Sequence, residues 1–201
     1  MINQSLIPPM FSMAIDRGTT GGQLVLGSVP NVTTSGQLVA APMVSTNGSI
    51  EEYQVVVDGF AIGGNDSPIS SSAISASNTV SLVDSGTSTL SLPDRVFRSV
   101  IKAYSPAAKF NKEVDDFLVS CSATPPALGV KITGEMFTID AKDMIVPSQA
   151  GDGLPSGLCF LGVDSNGHDG AILGDTFMTN AVVVFDLGAT PQIKFQQRAP
   201  Y

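Results

Sequence analysis

The stretch Ser81-Leu-Val-Asp-Ser-Gly-Thr-Ser-Thr-Leu90, SLVDSGTSTL, places one carboxylate between an apolar run and a group of hydroxyl side chains. The residues before Asp84 are typical of a buried strand. After it, Gly86 permits close approach of the backbone, and Ser85 and Thr87 offer hydroxyl donors to a carboxylate. The pattern therefore predicts a tight turn that fixes the Asp84 side chain by hydrogen bonds.

The rest of the chain favours short strands. Apolar, β-branched runs separated by turn residues predict strands at 11–16, 22–27, 53–58, 131–133 and 181–185. One helix is predicted over 93–104, where apolar residues share a face and Pro93 suits the first turn. A second, shorter helix is predicted to begin at Asp175, with that residue as its cap. We expect an all-β fold with one main short helix.

Charge and hydropathy exclude two kinds of partner. The 201 residues include 18 acidic and 10 basic side chains, for a net charge of −8. Because no basic surface is available to contact phosphates, we expect no nucleic-acid partner. No apolar run approaches the roughly 18 residues that a membrane span requires, so we expect no membrane span.

The chain lacks the residues that most catalytic chemistries require. Two cysteines and one histidine, scattered along the chain, cannot supply a tetrahedral metal set, so we expect no metal and no cofactor. No serine lies in a Gly-x-Ser-x-Gly turn, and the only histidine, His168, lies in a run typical of a solvated loop. The carboxylates remain as candidate catalytic groups.

Several features favour the secretory route. Four acceptor patterns for N-glycosylation are present, at Asn3, Asn31, Asn47 and Asn65. Cys121 and Cys159 form an even pair, which in that setting favours a disulfide over two buried free thiols. We expect a secreted or vacuolar protein whose signal peptide is absent from this chain, so that Met1 is not the natural start.

A predicted helix follows Asp84-Ser-Gly-Thr-Ser88, and further along the chain Ala171-Ile-Leu-Gly-Asp-Thr-Phe177 leads into Val182-Val-Val-Phe-Asp186. Together these segments resemble the C-terminal lobe of the pepsin-like aspartic proteases, in their fungal form. The resemblance covers nearly the whole chain in order. Three further matches support it: residues 11–12 together with residues 21–27, residues 53–58, and the Cys121/Cys159 pair, which stands at the position of that lobe's disulfide.

The resemblance implies a lobe of closed or bent, barrel-like β-sheets over residues 1–201. Asp84 is then one of two catalytic aspartates, and Ser85 reaches across to brace the opposite active-site loop. Gly86 and Thr87 meet the substrate backbone, and the Thr87 hydroxyl supports the Asp84 carboxylate. Ile172 lies near the pocket on the primed side of the cleavage site.

The chemistry of this family needs a second carboxylate. Two close carboxylates share one proton, so that one activates water while the other polarises the peptide carbonyl. The chain has no second copy of the Asp-Ser-Gly stretch, and we expect Asp175 to be a helix cap and not a second catalytic acid. The expected partners are thus an absent N-terminal lobe, a peptide or protein substrate, and pepstatin-type inhibitors.

Two alternatives to a two-lobed endopeptidase remain open. Two copies of the chain could bring two Asp84 residues together, as in the homodimeric retroviral proteases. The lobe could instead be a catalytically incomplete binding or decoy module. One departure from the family is visible, because Glu52-Tyr53 stands before Gln54, where two aromatic residues are usual. The resemblance implies that Glu52 lies at the wall of the primed-side pocket.

Overall fold

The computed structural model of the protein describes residues 6–17, 21–45, 47–63, 74–148, 153–167 and 169–200. Short strands dominate this part of the chain, and the two α-helices within it lie where the sequence predicts them. The strands are β1 Met10–Ile15, β2 Gly22–Leu26, β3 Val39–Pro42, β4 Gln54–Val57, β5 Gly59–Ile62, β6 Ile74–Ser75, β7 Thr79–Val83, β8 Leu90–Leu92, β9 Lys109–Asn111, β10 Asp116–Ser120, β11 Leu128–Ile132, β12 Glu135–Ile139, β13 Ile145–Val146, β14 Leu158–Leu161, β15 Val163–Ser165, β16 Ala171–Leu173, β17 Ala181–Asp186 and β18 Gln192–Gln197. The helices are α1 Asp94–Ala103 and α2 Asp175–Met178, and a 3-10 turn spans Ala141–Asp143.

The strands form four sheets, none of which closes into a barrel within the described residues. Two sheets have five strands, in the orders β2-β1-β17-β18-β3 and β15-β8-β16-β7-β4, and two have four, in the orders β13-β14-β10-β9 and β12-β11-β5-β6. The predicted all-β, pepsin-like fold is confirmed. The sheet that contains β7 carries Asp84 at the end of that strand.

One face of α1 anchors this sheet. Pro93 is the residue before the first turn, and Val96, Phe97, Val100 and Ile101 are all buried. Their spacing is that of a single helix face, so the helix predicted over 93–104 is confirmed. Burial of each such side chain contributes about 1.5–3 kcal/mol to folding. The helix therefore holds the strands on either side of the Asp84 loop in a common core.

The disulfide joins Cys121, which follows β10, to Cys159 in the neighbouring strand β14. The Cα atoms of the two cysteines are 5.1 Å apart and their positions are 38 residues apart in sequence. The predicted pairing is confirmed. Because the bond joins the end of β10 to β14, the two central strands of this four-stranded sheet, it limits how far these strands can separate.

Replacing both cysteines, as Cys121→Ser with Cys159→Ala, is expected to lower the free energy of unfolding by about 2–4 kcal/mol. The reason is that the bond removes loop-closure entropy from the unfolded chain. Urea unfolding of the oxidised protein measures the difference. Dithiothreitol should destabilise the wild type and leave the double variant unchanged, and equal midpoints for the two oxidised proteins would contradict the expectation.

Candidate active site

Asp84 is the first residue after β7, and its side chain is half-buried. Its backbone N–H donates to the carbonyl of Leu173, at an N···O distance of 3.3 Å. The chain then turns, and the N–H of Thr87 donates to the carbonyl of Asp84. The residues from Ser85 onward thus form a loop that folds back over the carboxylate.

Both oxygens of the Asp84 carboxylate accept hydrogen bonds from this loop. The N–H of Gly86 donates to Oδ1 at 2.9 Å, and the hydroxyl of Thr87 donates to Oδ2 at 2.7 Å. A Cβ atom at Gly86 would lie 3.2 Å from Oδ1, so a side chain here would crowd the carboxylate. The sequence-predicted turn residues Gly86 and Thr87 are therefore brought together with Asp84, and they fix the direction of its carboxylate.

The start of α2 holds the loop from behind. The N–H groups of Asp175 and Thr176 donate to the carbonyls of Thr87 and Ser88, at 2.7 and 3.1 Å. Gly174 packs directly against this part of the loop, since a Cβ atom there would lie 2.3 Å from the Thr87 carbonyl oxygen. Only glycine fits between β16 and the loop. The Leu173-Gly174 segment and the Asp84 loop are therefore packed directly against each other.

Ile172 lies beneath the loop, in the middle of β16. This strand runs parallel to β7 with Ile172 opposite Leu82, and antiparallel to β8 with Ile172 opposite Ser91. Ile172 and Leu82 are half-buried, whereas the residues next to them in their strands are buried. Because side chains alternate along strands, Ile172 and Leu82 share the less buried face of the sheet with Asp84.

Ser85 differs from the other loop residues. Its side chain is exposed, and in the described part of the chain it makes no hydrogen bond. The hydroxyl is therefore available to a group outside this lobe.

Asp175 does not cap α2, and the prediction of a cap is wrong. Gly174 is the N-cap residue, Asp175 is the first residue of the helix, and no side chain caps this helix. Among the described residues, Oδ1 of Asp175 is buried without a hydrogen-bond partner. Burial and, secondly, the negative charge of Asp84 raise the pKa of the Asp175 carboxyl above its ordinary value of 3.8. The two carboxylates are thus close enough to interact.

Replacing Asp84 by Asn is expected to lower the pKa of Asp175 without restoring its ordinary value, because the larger cause, burial, remains. The side-chain carboxyl carbon of Asp175, followed by NMR across a pH titration, measures both values. A matched Asp164→Asn variant, which changes an exposed carboxylate in β15, should leave the titration of Asp175 unaltered. An unchanged Asp175 pKa in the Asp84 variant would contradict the interaction.

The raised pKa also has a consequence for stability. When an acid has a higher pKa in the folded state than in the unfolded state, stability is greatest at low pH and falls as pH rises through that interval. An Asp175→Asn variant should therefore lose less stability than the wild type as pH rises above the ordinary aspartate range. Urea unfolding at several pH values checks the sign, and parallel profiles would contradict it.

The chain before β4 lies beside the Asp84 strand. The N–H of Val83 donates to the carbonyl of Tyr53 at 2.9 Å, which continues the pairing of β4 with β7. The Tyr53 ring meets Phe11 and Phe185 edge-on, with ring centroids 5.7 and 4.9 Å away. Glu52, which precedes Tyr53 in the chain, is exposed. The departure noted in the sequence therefore lies at the edge of the candidate site.

Other candidates add little to this site. His168 lies outside the described residues, as do the acceptor asparagines Asn3 and Asn65. In the described ranges, no three histidine, cysteine or acidic side chains come together in a way that could hold a metal ion. Neither described helix is long and apolar enough to cross a bilayer.

The described residues form an all-β lobe in which a hydrogen-bonded Asp-Ser-Gly-Thr loop is bonded to the Leu-Gly segment at the end of β16. This arrangement defines the class of acid proteases that use aspartate. Comparison with known proteins gives the same class. The family model described as eukaryotic aspartyl protease matches residues 1–198. The chain belongs to this family.

Curated relatives come from fungi and animals. A probable aspartic-type endopeptidase of Aspergillus fumigatus is 35% identical, over 94% of this chain and 44% of its own. Human gastricsin is 30% identical over 92% of this chain and 45% of its own, and rhizopuspepsin-3 of Rhizopus niveus is 30% identical over 100% and 46%. The chain therefore spans slightly less than half the length of these relatives.

Proposed function

We propose that this chain supplies one catalytic aspartate, Asp84, to an aspartic endopeptidase whose active site is completed by a second lobe. The observation that carries the proposal is the half-exposed Asp84 carboxylate, held by the Gly86 N–H and the Thr87 hydroxyl. A carboxylate fixed by donors on both oxygens keeps one orientation towards a bound water. The chain corresponds, in this proposal, to the C-terminal lobe of a pepsin-like enzyme.

The reaction requires a second carboxylate that faces Asp84. One group accepts a proton from water as the water attacks the peptide carbonyl, while the protonated partner stabilises the developing oxyanion. Asp175 does not fill this role, because one of its oxygens is buried and its backbone N–H is bound to the Thr87 carbonyl behind the loop. The partner carboxylate therefore comes from outside this lobe.

Two exposed apolar surfaces are suited to contact with a second lobe. On the Asp84 face of its sheet, the side chains of Val56 and Val80 are 42% and 43% exposed. β2 is an edge strand of the described sheet, and its Leu24 and Leu26 side chains are 64% and 53% exposed. Apolar surface and an unpaired strand edge both favour a protein partner. In this proposal the exposed Ser85 hydroxyl contacts the loop of that partner.

The substrate and inhibitors follow from the proposed chemistry. Peptides and proteins are the substrates, with Gly86 and Thr87 against the substrate backbone and Ile172 beneath a side-chain pocket. A pepstatin-type inhibitor, which mimics the hydrated peptide bond, should bind the completed site. A secreted or vacuolar location is supported by the disulfide and by Asn31 and Asn47, two acceptor asparagines that are exposed.

A concentration series separates this proposal from its alternatives. The lone chain, assayed as a monomer at acidic pH with an apolar peptide, should show no hydrolysis that pepstatin blocks. In a homodimeric protease, activity would rise with the square of chain concentration until the dimers saturate. A binding module would stay inactive even when a pepsin-like N-terminal lobe is added. Pepstatin-sensitive hydrolysis by a demonstrated monomer would overturn the proposal.

A further inference from the structure

A cavity at the start of β4 is used by none of the steps above. Its volume is about 340 Å³, and it opens on the side where the chain enters β4. The apolar part of its lining includes Ile50, Tyr53, Leu187 and Pro191. The remaining part carries two carboxylates, those of Glu51 and Glu52. A ligand that fits this lining has an apolar body and a positive end.

The cavity shares Tyr53 with the strand pair that leads to Asp84. In the β4–β7 pair, Gln54 is opposite Leu82, and the bond from the Val83 N–H to the Tyr53 carbonyl extends the pairing by one residue. Tyr53 is therefore adjacent to the residue that precedes Asp84. Since paired strands are about 4.8 Å apart, this wall of the cavity lies next to the strand that ends at Asp84.

The two glutamates have no cationic partner in the described part of the chain. Both side chains are exposed, and none of the ion pairs found among the described residues involves either of them. The Glu52 carboxylate accepts a hydrogen bond from the Gln54 amide at 2.7 Å, which orients it without neutralising it. The opening of the cavity thus carries an uncompensated negative charge.

We propose that this cavity binds a basic side chain, lysine or arginine, of the peptide substrate. The aliphatic stem packs against Ile50, Leu187 and Pro191, and the cationic head lies at Glu51 and Glu52. This inference rests on the proposed function, because it takes Asp84 as the point where the peptide binds. It assigns the enzyme a preference for a basic residue near the bond that it cleaves.

Binding to the chain itself tests the cavity without catalysis. The probes are Nα-acetyl-lysine methylamide and its neutral counterpart, Nα-acetyl-norleucine methylamide, titrated against 15N-labelled protein. The lysine probe should bind about three- to tenfold more tightly and shift the amide signals of Ile50, Tyr53 and Leu187. In about 1 M salt, where the Debye length falls to about 3 Å, this preference should largely vanish.

Glu51→Gln and Glu52→Gln should each reduce the preference about two- to fivefold, and the double variant should abolish it. Glu113→Gln, which changes an exposed glutamate in a distant turn, is the matched control and should leave it intact. Equal affinities for the two probes, shifts confined to other residues, or a preference unchanged in the double variant would overturn the inference.

Cleavage by the two-lobed enzyme then separates the inference from the function on which it rests. The substrates are apolar peptides that differ only by lysine or norleucine at the positions flanking the cleaved bond. A lysine preference that is lost in the double variant supports the inference. Cleavage of both peptides at equal rates overturns it. Failure to cleave either peptide, with lysine-probe binding intact, counts against the proposed function and leaves the basic-side-chain site standing.

Discussion

Replacing Asp84 by Asn is expected to lower kcat of the two-lobed enzyme by about 10²–10⁴-fold, because a positioned acid–base group contributes a factor of that size and the second aspartate cannot act alone. The fold should survive. The side-chain oxygen of the introduced asparagine can still accept from the Gly86 N–H, and its NH₂ group can donate to the Thr87 hydroxyl oxygen, so that both loop contacts remain. Steady-state hydrolysis of an apolar peptide at acidic pH measures the loss.

Asp164→Asn is the matched control for this loss. Asp164 also accepts a hydrogen bond from a nearby backbone N–H, that of Ser165, at 2.6 Å. It is exposed in β15, which β8 and β16 separate from β7 in the sheet, so its replacement should leave kcat within about twofold of the wild type. An Asp84→Asn enzyme that folds normally and keeps more than about a tenth of wild-type kcat would show that Asp84 is not a catalytic acid.

Gly174→Ala is expected to lower the free energy of unfolding by about 3 kcal/mol, which corresponds to a fall in Tm of roughly 6–12 °C for a domain of this size. A Cβ atom here would lie 2.3 Å from the Thr87 carbonyl oxygen and 2.2 Å from that of Thr89. Both are backbone atoms, so relief requires a shift of the whole loop. Differential scanning calorimetry measures the change.

Gly170→Ala is the control for the clash at Gly174. A Cβ atom at Gly170 would make only contacts of 3.4 Å, to the Val80 carbonyl and the Asn166 amide. Its replacement should cost less than about 1 kcal/mol. If Gly174→Ala melted within about 2 °C of the wild type, the loop would not be packed as tightly as described.

Sequence patterns predicted the elements whose signals are local. Helix α1 follows from apolar residues that share one face with a proline before the first turn, and the disulfide follows from an even pair of cysteines that matches the family's position. The Asp84 turn could also be read from its own residues, because Gly86 and Thr87 lie within three positions of the carboxylate that they hold.

Contacts between distant segments could not be predicted in this way. Asp175 was expected to cap its helix, yet its burial and its proximity to Asp84 depend on how β16 crosses a loop that lies far earlier in the chain. The partial burial of Arg17 against Asn180, with a separation of 163 residues, is another example. Such contacts are set by sheet packing, and neither composition nor periodicity carries a signal for them.

The sequence indicated the acidic residues of the cavity at Glu51 and Glu52 but not its apolar wall. The substitution of Glu52 for a usual aromatic residue marked the position, but the apolar wall comes from Leu187 and Pro191, near the other end of the chain. A pattern search finds an acidic pair and no pocket. The fold brings the apolar wall next to the acidic pair, and together they form a cavity suited to a basic side chain.

The most direct test of the central claim is the pepstatin-sensitive hydrolysis of an apolar peptide at acidic pH by this chain, alone and joined to a pepsin-like N-terminal lobe. The account predicts no turnover by the lone monomer and clear turnover by the joined protein, lost again when Asp84 is replaced by Asn. Turnover by the joined protein that persists in the Asp84→Asn variant would contradict it. So would a correctly folded joined protein that binds pepstatin and cleaves nothing.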